Sequence, residues 1–387
     1  MANTLSFADV ATLLNSINRQ ATGANNITPT NTGEFVSVAQ TTLLSGYDNV
    51  INAISQVLSA TVFSIRPYNR KFSGLFMNSQ QFGNHVRKLT AVDSDAQTDT
   101  HRQLNADQYD MFRVRKNEVL QTNFYGAEVY KRWVTVYQHQ LKEAFSGPEE
   151  FGRFISMILQ NVSDQIEQDH ENLARMCLVN FIGGKLAANN GVIRLVTEYN
   201  DATGANLDAD TVKAPANFVP FMKWAYARIK TVSDMLTERS QLYHINVAGK
   251  EVSRHTPRDR QRLYMYASDV NNMESSVLSS VFHDGYLKEI DFEKVNYWQS
   301  IQTPMGVQCK PTYMHTDGTL KTAAENVTQS NVFGVLFDEE AVGITTVETW
   351  NANSPFNADG GYTNMFWHFT DRYFNDFTEN GVVFLLE

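Results

Sequence analysis

Between Ser146 and Gly184 the chain reads SGPEEFGRFISMILQNVSDQIEQDHENLARMCLVNFIGG. One stripe holds Phe151, Ile155, Ile158, Val162, Ile166, Leu173 and Met176, interrupted by the polar Asp169 and Asn180. Steps of three and four average close to 3.6, the period of a straight helix rather than the 3.5 of a left-handed coiled coil. The spacing predicts one helix over about 148–182, roughly 50 Å long at the usual rise per residue. Ser146 and Glu149 have capping-box spacing, Pro148 suits the first turn, and Gly183 with Gly184 reads as a left-handed stop. Globular helices usually run about 8 to 20 residues. A rod this long must lie on a core and leave polar faces for solvent or neighbours. Cys177, on its apolar side, is read as a small core residue.

The whole 387-residue chain is 42% hydrophobic, enough for a core and for one to three domains. A net charge of −10 argues against a general nucleic-acid binder. The charge is uneven. Residues 1–65 hold Arg19 against three acids, residues 66–132 hold 11 basic and 7 acidic side chains, and residues 331–387 hold Arg372 against 9 acids. A basic middle and an acidic end can attract each other between copies, or each can be a solvated surface. The cysteines, Cys177 and Cys309, form no CxxC, so neither a disulfide nor a thiolate metal site is expected. The start, MANTLSFADVATLLNSI, lacks the features of a signal peptide, and no apolar window is long enough for a membrane span.

Residues 4–18 have the pattern of a short amphipathic helix. Residues 19–45, RQATGANNITPTNTGEFVSVAQTTLLS, are rich in Asn, Thr and Gly and read as an extended arm that needs a surface to lie on. Across 66–130, two strand-like stretches flank the polar DSDAQTDTHRQLNAD, the pattern of a long hairpin. A two-stranded hairpin is marginal alone, so it too needs a partner surface. A second helix is expected from Asn217, a buried strand running into a helix at RLYMYASDVNNMESSVL, and closing strands over 331–387.

No pattern of catalysis or metal binding emerges. The nine histidines form no HExxH or HxH pair, and the acids beside His170 point away from it along a helix. GGKLA at Gly183 lacks the glycine a P-loop needs (Val179 stands there) and has Leu186 where Ser or Thr belongs. Asp208 and Asp210 lack calcium-loop spacing and fit a turn. RHTPRDRQR, Arg254 to Arg262, suits a solvated loop, an acidic neighbour or nucleic acid. The closing aromatics Tyr362, Phe366, Trp367, Phe369, Tyr373, Phe374 and Phe377 read as core, because the acids Asp371, Asp376 and Glu379 beside them do not suit base stacking. No enzyme activity and no cofactor are expected.

An arm, a hairpin, a very long helix and a mixed α+β body follow one another in this order. The order resembles the tailed-bacteriophage major capsid proteins of the Hong Kong 97-type fold. FYGAEVYKRWVTVYQHQLKEAFSGPEEFGRFISMIL, with Leu141, Lys142, Ala144 and Phe145, is similar to the approach to the spine helix in head proteins of short-tailed phages of the Bacillus type. GYTNMFWHFTDRYFNDFTENGVVFLL resembles the aromatic strand, bend and last apolar strand of the same family. The resemblance covers residues 66–200 and 331–387. It implies an N-terminal arm (1–65), an extended β-hairpin loop (66–130), a peripheral domain with the spine helix (131–215), an axial domain (216–330) and return strands (331–387). The chain ends where the Bacillus-type proteins carry an immunoglobulin-like domain, so that domain's role does not transfer.

The implied function is a major head protein, assembled in the host bacterial cytoplasm. Its copies would form pentamers and hexamers of an icosahedral shell around double-stranded DNA, with non-specific DNA contact only. Portal, scaffolding and decoration proteins are the implied partners. Arg87, Lys88, Arg102, Arg113 and Arg115 are the hairpin charges expected to face acids on a neighbouring copy. An encapsulin-like nanocompartment shell and a tail or neck component are the other readings of the same features.

Overall fold

The computed structural model describes residues 7–23, 29–60, 71–77, 86–93, 116, 118–247, 250–281 and 292–387. Three helices open it: α1 (Phe7–Thr22), α2 (Thr32–Leu44) and α3 (Tyr47–Ala60). A strand pair follows, β1 (Val86–Ala91) antiparallel to β2 (Val119–Phe124). Then come β3 (Ala127–Tyr137), α4 (Gln138–Ala144), the long α5 (Pro148–Ala188), β4 (Val192–Arg194) and α6 (Leu195–Thr203). Next are α7 (Pro215–Thr237), β5 (Gln261–Tyr266), α8 (Ala267–Val281) and β6 (Phe292–Val295). Four short strands, β7 (Val307–Cys309), β8 (Thr312–Met314), β9 (Leu320–Thr322) and β10 (Val327–Gln329), lead to β11 (Val332–Asp338), β12 (Val342–Asn353), β13 (Tyr362–Asn375) and β14 (Gly381–Leu385).

Two sheets organise the body. One is three-stranded and antiparallel, in the order β12-β13-β3. The other is five-stranded, β4-β14-β11-β5-β6, with parallel pairs at its edges. All of β11 and β14 is buried, because both faces of this sheet are covered. α5, with 41 residues, runs about 60 Å at the usual rise. Its first half (Phe151, Ile155, Ile158) joins a core with the N-terminal helices and the inner face of the three-stranded sheet. Its second half (Leu173, Cys177, Phe181, Ile182) joins a separate core under the five-stranded sheet. The opposite face of that sheet packs on α6, α7 and α8.

The helix departs from the sequence expectation at both ends. Its N-cap is Gly147, which has no side-chain cap, so Ser146 does not close a capping box. Pro148 does occupy the first turn, beside Glu149 and Glu150. At the other end the left-handed residue is Asn189, at φ 47°, and Gly183 and Gly184 lie inside the helix. They are required there by close packing. A Cβ on Gly183 would stand 2.2 Å from Cys309 Sγ, and one on Gly184 2.3 Å from Phe377 Cζ.

The stretch over residues 19–45 also differs. It was expected to be extended, yet 32–44 form α2. Asn31 Oδ1 accepts from Glu34 N (2.9 Å), while the Glu34 carboxylate accepts from Thr30 N (2.7 Å). These reciprocal caps start a helix whose Thr and Val content is unfavourable by propensity. Tertiary packing supplies the rest: Phe35 is buried against the Phe151 ring, and Thr42 donates to Asn18 of α1 at 2.9 Å. The expected strand-to-helix junction is present as β5 and α8, and the helix expected from Asn217 begins at Pro215.

One cation lies fully inside. Lys185 Nζ donates to the Tyr243 carbonyl (2.8 Å) and to Asn190 Oδ1 (3.2 Å), and burial lowers its pKa to about 7 although Asp376 acts to raise it. The fold therefore favours the neutral amine, whereas the unfolded chain keeps a lysine pKa near 10.4. Between those values only the unfolded state holds the proton, so this site costs stability that is regained as pH rises from about 7 towards 10.4. Two outcomes are expected. Lys185→Met raises the melting temperature at pH 7, and the gain shrinks as the melt is repeated at higher pH. Gly184→Ala lowers stability by about 1–3 kcal/mol in urea unfolding despite its better helix propensity, because overpacking outweighs it.

Candidate functional site

Two polar junctions position the hairpin and the long helix. The first joins α5 to the inner face of the three-stranded sheet. Asp169, which breaks the apolar stripe, takes Arg132 of β3, with Arg132 Nε 2.7 Å from Asp169 Oδ2. His170 is buried and sits 3.2 Å from Asp371 Oδ2. The Tyr130 hydroxyl donates to the same oxygen at 2.7 Å and Thr346 to Asp371 Oδ1 at 2.8 Å. Burial acts to raise the Asp371 pKa, but His170, Tyr130 and Thr346 outweigh it and hold it below the ordinary value.

The second junction lies under the hairpin base. On β1 and β2, Lys88 and Thr90 share the inward face with Thr122 and Leu120, while Arg87, Leu89 and Val119 are exposed on the outward face. Lys88 Nζ stands 2.8 Å from Asp376 Oδ2, 2.5 Å from Glu379 Oε1 and 3.6 Å from Glu340 Oε2. Both near carboxylates are buried, at 2% and 7% side-chain exposure. Asp376 is set by a turn in which its Oδ1 accepts from Thr378 N (2.9 Å) and Thr378 Oγ1 (2.6 Å). Glu379 also meets Arg254 at 3.1 Å. Burial disfavours the Lys88 charge, yet Asp376 and Glu379 together keep its pKa above the ordinary value; burial likewise pushes Glu379 upward.

More polar ties flank this pocket. Asp93 accepts from Arg239 and from Ser253 N, Glu118 meets Lys250 at 2.9 Å, and Arg254 donates to Thr90 Oγ1 at 3.2 Å. Beneath the strands lies a water-sized cavity lined by Thr90, Leu120, Thr122, His244 and Arg254. Burial lowers the His244 pKa, and its Nε2 faces the Val252 carbonyl at 2.6 Å.

The basic run RHTPRDRQR finds its acids inside the chain. Arg254 pairs with Glu379, Arg258 with Asp234, Arg260 with Glu339 and Glu340, and Arg262 with Glu339. Of the five hairpin charges singled out in the sequence, Lys88 lies in its own chain's carboxylate pocket, Arg87 is exposed, and Arg102, Arg113 and Arg115 lie outside the described residues. The acids that hold Lys88 are 250 and more residues away in sequence, beyond what spacing reveals. Of the closing aromatics, Phe369, Phe374 and Phe377 are buried, whereas Tyr362 and Phe366 are half-buried on the outer face of the sheet, near exposed Trp133 and Trp350. Among the described residues no cluster of His, Cys, Asp and Glu could hold a metal ion, and no helix is long and apolar enough to cross a membrane.

The fold matches chains of solved phage structures over most of its length. A chain in the capsid structure of Staphylococcus phage Andhra aligns with a TM-score of 0.57 at 10% identity, covering 84% of this chain and 87% of that one. A chain in the structure of the head fibre and inner core protein gp22 of native bacteriophage P68 aligns with a TM-score of 0.53 at 10% identity, with the same coverage. No curated protein sequence matches the chain. The fold is thus that of a phage capsid subunit of the Hong Kong 97 type. The model of the Phi29-like phage major capsid protein family matches residues 12–385, so the chain belongs to that family. It is a structural protein of the virion, the major capsid protein whose copies form an icosahedral shell.

The junction under the hairpin makes a direct prediction. Lys88→Ala strands two buried carboxylates and lowers the stability of the free subunit by about 3–5 kcal/mol in urea unfolding. Arg87→Ala, one residue away on the exposed face, changes it by less than about 0.5 kcal/mol.

Proposed function

We propose that the subunits tile as pentamers and hexamers around packaged double-stranded DNA, with the hairpin of each laid over its neighbour. The observation that carries this reading is the outward face of β1 and β2. It presents Leu89 at 59% and Val119 at 56% exposure beside Arg87. A two-stranded ribbon with apolar residues in water is marginal unless another surface covers it. In a shell that surface is the next copy.

On this reading residues 1–65 form the N-terminal arm, 66–130 the hairpin loop, 131–215 and 331–387 the peripheral domain, and 216–330 the axial domain. α5 is the strut between the two cores of the tile. Arg87, Arg102, Arg113 and Arg115 meet acids of a neighbouring copy. For Lys88 the reading requires a change of partner, because Asp376 and Glu379 already hold it in the single chain. The net charge of −10 suits a wall that does not trap its DNA, so contact with the genome is non-specific. Portal, scaffolding and decoration proteins join in the host cytoplasm, where the head assembles. The segment resemblance to head proteins of Bacillus-type short-tailed phages supports a relationship to that group.

Charge reversal tests the contact. Arg113→Glu with Arg115→Glu lowers the yield of closed particles several-fold by electron microscopy and sedimentation, while the free subunit keeps its melting temperature. Normal yield would remove these two residues from the interface.

A further inference from the structure

The pocket that holds Lys88 has a property that bears on assembly. Asp376 and Glu379 both approach one ammonium, within 2.8 and 2.5 Å, and both side chains are almost fully buried. Two carboxylates that close repel each other, and Lys88 is the one cation that touches both among the described residues, so removing it leaves charge poorly compensated. Arg254 reaches Glu379 alone, at 3.1 Å, and is also committed to the Thr378 carbonyl. Glu340 lies farther from Lys88, at 3.6 Å, and is engaged by Arg260. Departure of the hairpin therefore removes the cation that touches both carboxylates and leaves Asp376 only the weaker influence of Lys185, so a second ammonium is favoured in its place.

The rest of the hairpin seat is suited to exchange. Beside the Phe124–Phe374 ring contact and Leu120 over the small cavity, its described ties to the body are ion pairs and single hydrogen bonds: Asp93 to Arg239 and Ser253, Glu118 to Lys250, Thr90 to Arg254. Such ties can be remade with an identical surface at little net cost, whereas an interlocked apolar core could not be undone so readily. Charge complementarity selects the entrant. The hairpin segment is the basic part of an otherwise acidic chain, and the pocket belongs to its most acidic segment.

We infer that the Asp376–Glu379 pocket is a docking site for a lysine-bearing hairpin, filled by the chain's own Lys88 in the free subunit and by Lys88 of a second copy in the shell. The inference rests on the proposed overlap of hairpin and neighbour. Each hairpin that moves outward empties a pocket and fills the next, so the exchange propagates around a ring. The self-filled state holds the hairpin closed and prevents free subunits from docking at random.

Zero-length carbodiimide coupling reads the partner directly, because it joins an amine to a carboxylate only where they are in contact. Subunits grown with 14N and with 15N are mixed in equal amounts, and half of the mixture is assembled. Both samples are then coupled, digested and analysed by mass spectrometry for the Lys88–Glu379 and Lys88–Asp376 linked peptides. Free subunits are expected to give same-isotope pairs only. Shells are expected to give about half mixed pairs, the random share for a neighbour-supplied lysine. Shells with same-isotope pairs alone overturn the exchange. Linkage of Glu379 to a different lysine in shells overturns Lys88 as the entrant, and absence of the link in free subunits overturns the self-filled state. Mixed pairs through other hairpin residues, with Lys88 still same-isotope, would leave the overlap standing and remove this pocket from it.

Discussion

Everything in this subunit hangs on keeping one 41-residue helix straight and attached along its length. Helix propensity does not do this, because most helical stability in proteins comes from packing an apolar face. α5 has two such faces, in two cores, with a polar middle between them. The polar middle is tied down by polar contacts instead, through the Arg132–Asp169 ion pair and through His170 to Asp371. At the C-terminal end the helix backbone comes so close to Cys309 and Phe377 that only glycine fits at 183 and 184. The rod is thus fixed by apolar contact at its ends and by polar contacts at its centre.

The charged junctions serve position more than stability. Burying a carboxylate costs several kcal/mol, and an ion pair recovers that only with good geometry and further hydrogen bonds. Asp371 has those, with donors on both oxygens. Asp376 has them as well, from Thr378 and Lys88. Apolar residues of the same volume could stabilise the free chain equally, but they would not fix a register or release a partner. The described strands of the hairpin therefore sit in one defined place on the body.

Some of this was legible in the sequence and some was not, for reasons that differ by element. α5 showed because its period repeats over ten turns, a signal that local accidents do not hide. β11 and β5 showed because buried strands need unbroken apolar runs. The end of α5 was misread because glycine has two uses, a left-handed stop and a close approach, and only the position of Cys309 and Phe377 separates them. α2 was missed because its Asn, Thr and Gly look like a loop, while the evidence for a helix lies in one reciprocal cap and in Phe35 meeting Phe151 across more than 100 residues. Lys88 was legible as a hairpin cation seeking an acid. Which acid it meets is a matter of topology, and within the chain the fold brings it to Asp376 and Glu379, which no spacing along the sequence reveals.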